Sequence, residues 1–156
     1  QLGHFLDLTK DANVEVIEQP FIPGKEKDLL KFSPALRKIF TADESLTSPA
    51  TALNLTRDMP YGIFNIKLMK CGGIRPGLQI ADIAKHAKID LFWGCNDESL
   101  ISITAALHTA LSCAHTKFLD LDGSFDLAED LAEGGFILKD GYLLTNNKSG
   151  LGLSKL

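Results

Sequence analysis

Five short apolar segments recur along the chain at nearly constant spacing, and this pattern constrains the fold more than any other feature. Each segment ends in an ionisable or reactive side chain and is followed by a stretch of helical character. The segments are residues 14–18, 39–43, 63–67, 89–95 and 117–120, whose last residues lie 25, 24, 28 and 25 positions apart. Strands that alternate with helices in this way are typical of a parallel α/β sheet.

The sequence between the strands carries helix signals of its own. Ser48 and Pro49 are residues that favour a helix start, and apolar residues in 76–88 follow the i, i+3, i+4, i+7 spacing of an amphipathic helix. A proline at position 34 should break the pattern of the segment 25–38. We expect helices over residues 2–10, 50–58, 76–88 and 99–112, and an interrupted one over 25–38.

The pattern changes near the C-terminus. Two apolar stretches, 135–138 and 142–144, flank Lys139-Asp140-Gly141, which is a strong turn signal for a β-hairpin. We therefore divide the chain into βα units over residues 1–134 and a hairpin with a Gly-rich tail over residues 135–156.

Five βα units fit either a doubly wound open sheet or part of an eight-stranded barrel. In barrels, functional groups stand at the carboxyl ends of several strands, whereas an open sheet needs them only near its switch point. Here every predicted strand ends in such a group. The sequence favours the barrel, of the (β/α)₈ TIM type.

Composition excludes several classes of function. The formal net charge of the 156 residues is −4, so there is no basic surplus for binding nucleic acid. No apolar run approaches the roughly 18 residues that a membrane span needs. The three cysteines form no C-x-x-C pair and no metal-ligand spacing, so we expect free thiols in the cytoplasm.

Two carboxylates end neighbouring predicted strands. Glu18 and Asp43 should project into one mouth, where a hard divalent cation such as Mg²⁺ would relieve their repulsion. Either acid alone could instead cap the helix after its strand.

Lys67 ends the third predicted strand. Burial and a nearby dication would lower its pKa toward that of a general base, although it could simply pair with Glu18 or Asp43. Lys70, before two glycines, is interpreted as a solvated or phosphate-facing loop residue.

The last two strands end in further candidate ligands. Strand alternation places Asp120 and Asp122 on one side and pairs Cys95 with Asp97, so the two aspartates should attract a metal or a substrate ammonium. The histidines carry no evident role, and His108, within an Ala- and Leu-rich helix, is interpreted as a hydrogen-bonded packing residue.

Five motifs, taken in order along nearly the whole chain, resemble one known group of enzymes. They are Val16-Ile17-Glu18-Gln19-Pro20, Thr41-Ala42-Asp43-Glu44-Ser45, the segment 65–73, Gly94-Cys95 with Glu98-Ser99, and Asp120-Leu121-Asp122. The set is similar to the enolase superfamily, within it to the muconate-lactonising branch, and most of all to the dipeptide epimerases. The resemblance implies a (β/α)₈ barrel with a separate capping domain.

The resemblance also assigns roles. Glu18 and Asp43 match two of three Mg²⁺ ligands, and Lys67 matches the base at the sixth barrel strand. Asp120 and Asp122 match the pair that binds the substrate's α-ammonium group, and the Cys95 and Asp97 positions line the substrate. The implied reaction is 1,1-proton transfer at the α-carbon of the C-terminal residue of a dipeptide.

Other features of such enzymes have no counterpart in the sequence. The first metal acid, the opposing lysine pair and most of the capping domain are missing, so we expect the C-terminal half of a family member. It should pack against the other half, in the same polypeptide or as a separate chain, with residues 135–156 packing on the capping domain. When intact, it should form a homo-oligomer.

Asp97 suggests a dipeptide with a cationic side chain. Two alternatives stay open: another enzyme of the branch (o-succinylbenzoate synthase, N-succinylamino acid racemase or cycloisomerase), or a non-catalytic half-barrel module. Asp120 and Asp122 argue against the former, because they would repel acidic substrates.

Overall fold

A single five-stranded sheet forms the centre of the molecule. The computed structural model describes residues 1–156. The strands are parallel and lie side by side in chain order: β1 (Ile17–Glu18), β2 (Phe40–Ala42), β3 (Ile63–Ile66), β4 (Asp90–Trp93) and β5 (Thr116–Leu119). A doubly wound sheet reverses its strand order at a switch point, whereas a barrel keeps it. The structure therefore confirms the five predicted strands and the barrel-type arrangement.

Helices connect the strands close to the predicted positions. Ser48 starts its helix with a capping box, in which its hydroxyl accepts from the Thr51 N–H at 3.2 Å and the Thr51 hydroxyl accepts from the Ser48 N–H at 2.9 Å. Ser33 caps a short helix that begins at Pro34, which explains the predicted interruption. The helices are α1 (Leu2–Leu8), a 3₁₀ helix (Glu26–Lys31), α2 (Pro34–Arg37), α3 (Pro49–Asp58), α4 (Leu68–Cys71), α5 (Ile74–Ala87) and α6 (Leu100–Leu111).

The one-turn helix α4 was not predicted. It follows β3 directly, and two glycines with positive φ, Gly72 at 96° and Gly73 at 110°, end it and start α5. Residues three apart lie on the same side of a helical turn. The turn therefore brings Lys70 back beside Lys67.

The core lies between the sheet and helices α3, α5 and α6. All residues of β2 and β3 are buried, as expected for central strands of a covered parallel sheet. Trp93 is a fully buried core residue, and its indole N–H donates to the Thr116 hydroxyl at 3.0 Å. The edge strand β5 is less covered, since Leu119 is 49% exposed.

The C-terminal segment forms two antiparallel pairs. The predicted hairpin is present as β7 (Phe136–Lys139) and β8 (Tyr142–Thr145), with Asp140 and Gly141 at positive φ in its turn. A second pair, β6 (Ala132–Gly134) with β9 (Leu153–Lys155), was not predicted. The domain division after residue 134 stays a prediction. None of the helices has the length and apolar character needed to cross a membrane.

Candidate active site

Asp43 stands directly after β2 and is the centre of a charged cluster at the carboxyl ends of the strands. Its Oδ2 lies 2.9 Å from the Lys67 Nζ, and Lys70 donates to its Oδ1 and, at 2.7 Å, to its backbone oxygen. Burial would raise the pKa of Asp43, but the hydrogen bonds from Lys70 and Lys67 outweigh burial and lower that pKa below its ordinary value. Asp43 is therefore held as an anion.

Glu18, the last residue of β1, faces the same cluster. Its Oε1 accepts from the Asn65 Nδ2 at 2.6 Å. Loss of surrounding water raises the pKa of Glu18; the Asn65 hydrogen bond opposes this rise, and the nearby Asp43 carboxyl adds to it. The two carboxylates are thus close enough to repel each other, which is the arrangement that a hard divalent cation stabilises.

Lys67 lies between these acids and the last two strands. Burial lowers the pKa of its ammonium group, but the hydrogen bond to Asp43 and the charges of Asp43 and Glu18 raise it above the ordinary value. Within the chain the anions therefore outweigh burial, and the expected lowering of this pKa, which depends on a nearby dication, stays a prediction. Lys67 also lies 3.5 Å from the Asn96 Oδ1.

Lys70 corrects another expectation from the sequence. It is not a solvated loop residue: its side chain is 15% exposed, and it donates to Asp43 and to the Asn65 backbone oxygen. The reason is α4, which turns the chain so that this lysine points back at the end of β2.

The carboxyl ends of β4 and β5 bring a second set of residues together. Cys95 Sγ lies 3.8 Å from the Asp122 Oδ1 and accepts from the Gly123 N–H at 3.3 Å. Burial raises the pKa of Asp120, the nearby Asp122 charge raises it further, and Lys67 opposes both. Asp120, Asp122 and Cys95 therefore converge, and neither aspartate has an ion pair within the chain.

Asp97 forms no hydrogen bond or ion pair with this group. It is exposed, and its carboxylate forms no hydrogen bond within the chain, whereas its neighbour Asn96 reaches Lys67. Glu98 is buried at the start of α6, where it accepts from the Asn96 N–H at 3.0 Å and from the Ser102 hydroxyl. His108 differs from expectation, since its Nε2 is buried without a hydrogen-bond partner.

Two amides in the site were missed by the sequence reasoning. Asn65 lies two residues before Lys67, and alternation along β3 was a signal that both side chains face the mouth. Gly94 leaves room for it, since a Cβ there would lie 2.5 Å from the Asn65 Oδ1. Gln19 had no comparable signal, because its contacts depend on an unusual backbone angle.

A cavity of about 630 Å³ lies at the carboxyl ends of the first three strands, and its lining includes Glu18, Asp43 and Lys67. Two carboxylates are hard oxygen donors of the kind Mg²⁺ prefers, so the residues present fit this ion. No group of three or more His, Cys, Asp or Glu residues is placed to hold a metal. With only Glu18 and Asp43 as ligands, a Mg²⁺ ion would have further coordination positions for donors from outside this chain.

Comparison with known proteins decides the family. A sequence model described as "Enolase C-terminal domain-like" matches residues 4–155. The chain belongs to this family. The expected resemblance to the enolase superfamily is thereby confirmed, together with the barrel-type fold.

Relatives of this enolase-type domain include two curated proteins named L-Lys-D/L-Arg epimerase. The one from Methylococcus capsulatus is 56% identical over 147 residues, which are 94% of this chain and 41% of the relative. The one from Desulforapulum autotrophicum is 49% identical over 157 residues, which are 100% of this chain and 44% of the relative. The chain thus spans about two fifths of the length of these relatives.

A solved structure agrees with this enolase-type domain in detail. The dipeptide epimerase from Methylococcus capsulatus, complexed with Mg and the dipeptide L-Arg-D-Lys, is similar with a TM-score of 0.94 and 55% identity. The match covers 97% of this chain and 43% of that one.

Proposed function

We propose that this chain supplies part of the active site of a Mg²⁺-dependent dipeptide epimerase. The reaction is 1,1-proton transfer at the α-carbon of the C-terminal residue of a dipeptide. One observation carries the proposal: the Lys67 ammonium lies 2.9 Å from Asp43, close to Glu18 on one side and to Asp120 on the other. A proton-transferring group thus stands between a pair of candidate metal ligands and a pair of free anions.

Glu18 and Asp43 would hold the metal ion, together with donors from outside this chain. When bound, Mg²⁺ supplies positive charge that stabilises the negative charge developing on the substrate carboxylate as the α-proton leaves. Asn65 orients Glu18 through the 2.6 Å hydrogen bond, and Lys70 holds Asp43 in its anionic form.

Lys67 would move the proton at one face of the α-carbon. As an ammonium it can donate a proton, and after losing that proton it can accept one. A group on the opposite face, outside this chain, must carry out the complementary transfer, because inversion requires removal from one face and delivery to the other.

Asp120 and Asp122 would bind the α-ammonium group of the dipeptide, with Cys95 at their side. Their carboxylates have no cation within the chain, so a substrate cation gains charge-assisted hydrogen bonds without displacing an existing pair. The same charges would repel the acidic substrates of o-succinylbenzoate synthase, N-succinylamino acid racemase and cycloisomerase.

The substrate we propose is a dipeptide with a Lys or Arg side chain. The names of the two curated relatives, at 56% and 49% identity, support this choice. Asp97, exposed near the ends of the last strands and without a partner, would attract the side-chain cation.

The partner we propose is the rest of the same protein. Strands β1 and β5 end the sheet as open edges, and Leu111 and Leu119, at 59% and 49% exposure, present apolar surface beside β5. A completed barrel would cover both features. The homo-oligomer and the cytoplasmic location stay predictions, the latter from the three free cysteines.

The test uses the intact protein that contains this chain. Ala-Lys and Ala-Glu dipeptides are incubated in D₂O with Mg²⁺ or with a chelator, and deuterium uptake at the α-carbon is followed by NMR. We expect uptake only with Mg²⁺, and faster uptake with Ala-Lys. Absence of exchange with either dipeptide would favour the non-catalytic module, and a strong preference for Ala-Glu would contradict the cationic specificity.

A further inference from the structure

Gln19 stands immediately after the candidate ligand Glu18 in an unusual backbone conformation. Its φ is +38°, although it is not a glycine, and Pro20 follows it. A residue before proline normally adopts extended backbone, and a non-glycine residue keeps a positive φ only where its surroundings enforce it. The contacts of its side chain show what enforces it here.

The oxygen of the Gln19 amide faces two backbone donors on the segment that carries Asp43. Oε1 accepts from the Asp43 N–H at 2.8 Å and from the Ser45 N–H at 3.2 Å. Both N–H groups lie in the loop that directly follows the last residue of β2, Ala42. This oxygen fixes the backbone to which one candidate ligand is attached.

The nitrogen of the same amide faces three acceptors. The two hydrogens of Nε2 are shared among the Phe21 backbone oxygen at 2.7 Å, the Ser45 hydroxyl at 2.8 Å and the Tyr61 hydroxyl at 3.0 Å. The Ser45 hydroxyl in turn donates to the Glu26 carboxylate at 2.7 Å, so it can only accept from Gln19. The partners thus determine which end of the amide is oxygen and which is nitrogen.

The backbone ladder between the two ligand-bearing strands is short. Strands β1 and β2 pair over Ile17 with Phe40 and Glu18 with Thr41, and one more bond joins the Gln19 N–H to the Thr41 oxygen at 2.9 Å. Beyond that bond, the Gln19 side chain is the direct link between the end of β1 and the backbone of Asp43.

We propose that Gln19 is a positioning residue that sets the spacing of the Glu18 and Asp43 carboxylates for a divalent cation, by tying the ends of β1 and β2 together. This inference rests on the proposed function. Gln19 touches neither substrate nor metal in this assignment and acts through the backbone of Asp43. A residue at this position must accept on one side and donate on the other, which an amide of this length does.

The test compares Gln19→Met with the wild-type intact protein. Methionine keeps the length of the side chain and removes both the acceptor and the donors. Binding of Mn²⁺ is measured by electron paramagnetic resonance and binding of Mg²⁺ by calorimetry, without substrate. Loss of a residue that orients a ligand typically weakens metal binding about 10- to 100-fold, and we expect this range for Gln19→Met.

Two further variants separate positioning from stability. Asn146 also accepts from a backbone N–H and donates to a backbone oxygen, at 3.2 and 3.1 Å, but in the C-terminal tail. Asn146→Leu should lower the melting temperature and leave the Mn²⁺ dissociation constant unchanged. Tyr61→Phe removes one acceptor of the Gln19 amide while keeping the shape of the ring, and should weaken Mn²⁺ binding in the same direction but less.

Each outcome bears on a different statement. Unchanged Mn²⁺ affinity in Gln19→Met would overturn the inference, whatever happens to its melting temperature. If Gln19→Met does not fold, unchanged affinity in Tyr61→Phe overturns it and weaker binding supports it. If the wild-type protein binds neither ion, the proposed function fails, and the inference fails with it.

Discussion

The candidate site has two halves that differ in whether their acidic side chains pair with cations of the same chain. The first half lies at the ends of β1, β2 and β3, where acids and lysines pair with each other, as in the 2.9 Å contact of Lys67 with Asp43. We call it the paired half, and it consists of Glu18, Asp43, Asn65, Lys67 and Lys70. At the ends of β4 and β5, the open half consists of Cys95, Asp120 and Asp122, where no cation of the chain pairs with either aspartate.

This difference indicates that one half is preorganised and that the other is open to a cationic ligand. In the paired half, Asp43 is about 10% exposed and already bound by two lysines, so its geometry is fixed before any ligand arrives. In the open half, burial and then the like charge of Asp122 raise the pKa of Asp120, and a cation from outside would relieve the repulsion between the two carboxylates. The first half suits chemistry and the second suits selection of a substrate ammonium.

The largest expected effect comes from removing Lys67, the proposed proton-transferring group of the paired half. In the intact protein, Lys67→Ala should reduce deuterium exchange at the α-carbon of one substrate epimer by about 10²–10⁴-fold, the usual contribution of a positioned acid or base. Binding of Mn²⁺ should persist, because Glu18 and Asp43 remain. The measurement is NMR-detected exchange, starting separately from each epimer.

Lys117→Ala is the matched control for this loss. Lys117 also pairs with an aspartate, Asp90, at 3.1 Å, but at the amino end of the sheet and with 57% of its side chain exposed. Its replacement should leave exchange unchanged. Turnover of both epimers by Lys67→Ala at the wild-type rate would refute the role given to Lys67.

The paired half was only partly predictable from sequence. Adjacent parallel strands bring their carboxyl ends together, so the proximity of Asp43 and Lys67 followed from the strand pattern. The position of Lys70 depends on a one-turn helix with no periodic signal, and that of Gln19 on a φ of +38°. Such features depend on tertiary contacts and not on local patterns of polarity.

The open half shows how far side-chain alternation can be extended beyond the end of a strand. Asp120 and Asp122 follow the last residue of β5, Leu119, and lie close together as alternation predicted. Cys95 and Asp97 follow the last residue of β4, Trp93, and their common orientation stays a prediction, while Asn96 between them lies 3.5 Å from Lys67. In the same way β6 and β9, three residues each and far apart in sequence, carry too short a pattern to be recognised.

The second largest effect should come from the open half. Asp122→Asn in the intact protein keeps the shape of the side chain and removes the charge that would bind the substrate ammonium. We expect KM for a dipeptide to rise about 10- to 100-fold with a smaller change in kcat, since hydrogen bonds to charged groups contribute about 1.5–3 kcal/mol.

Asp126→Asn serves as the control, because this exposed aspartate lies four positions further along the chain and has no hydrogen bond within it. Its KM should match that of the wild type. An equal rise of KM in the two variants would mean that the effect of Asp122→Asn is one of general charge and not of ammonium binding.

A third prediction concerns the stability of the paired half. Lys70→Met removes one of two cations from a carboxylate that is about 10% exposed, while Lys67 remains bound to it. We expect the free energy of unfolding of the intact protein to fall by about 1–3 kcal/mol, measured by urea denaturation, because a buried charge loses part of its compensation.

The comparison for Lys70→Met is Lys31→Met, which removes an ion pair with Asp28 whose side chains are 75% and 42% exposed. Exposed pairs of this kind contribute about 0.3–0.5 kcal/mol, so the loss should be within that range. Equal losses in the two variants would show that the Asp43 cluster is no more stabilising than a surface pair.

The smallest effect should come from Asp97, whose charge adds to the open half from a solvent-exposed position. Water and salt screen an exposed carboxylate, so its attraction for a Lys or Arg side chain should not exceed about 1 kcal/mol, or roughly fivefold in kcat/KM. Asp97→Asn should reduce the preference for Ala-Lys over an uncharged dipeptide by this factor at low ionic strength, and by less at high ionic strength. Glu129→Gln, at another exposed acid, should leave the preference unchanged. A preference that survives Asp97→Asn at low salt would contradict the role of Asp97 and assign the selection of the cationic side chain to other residues.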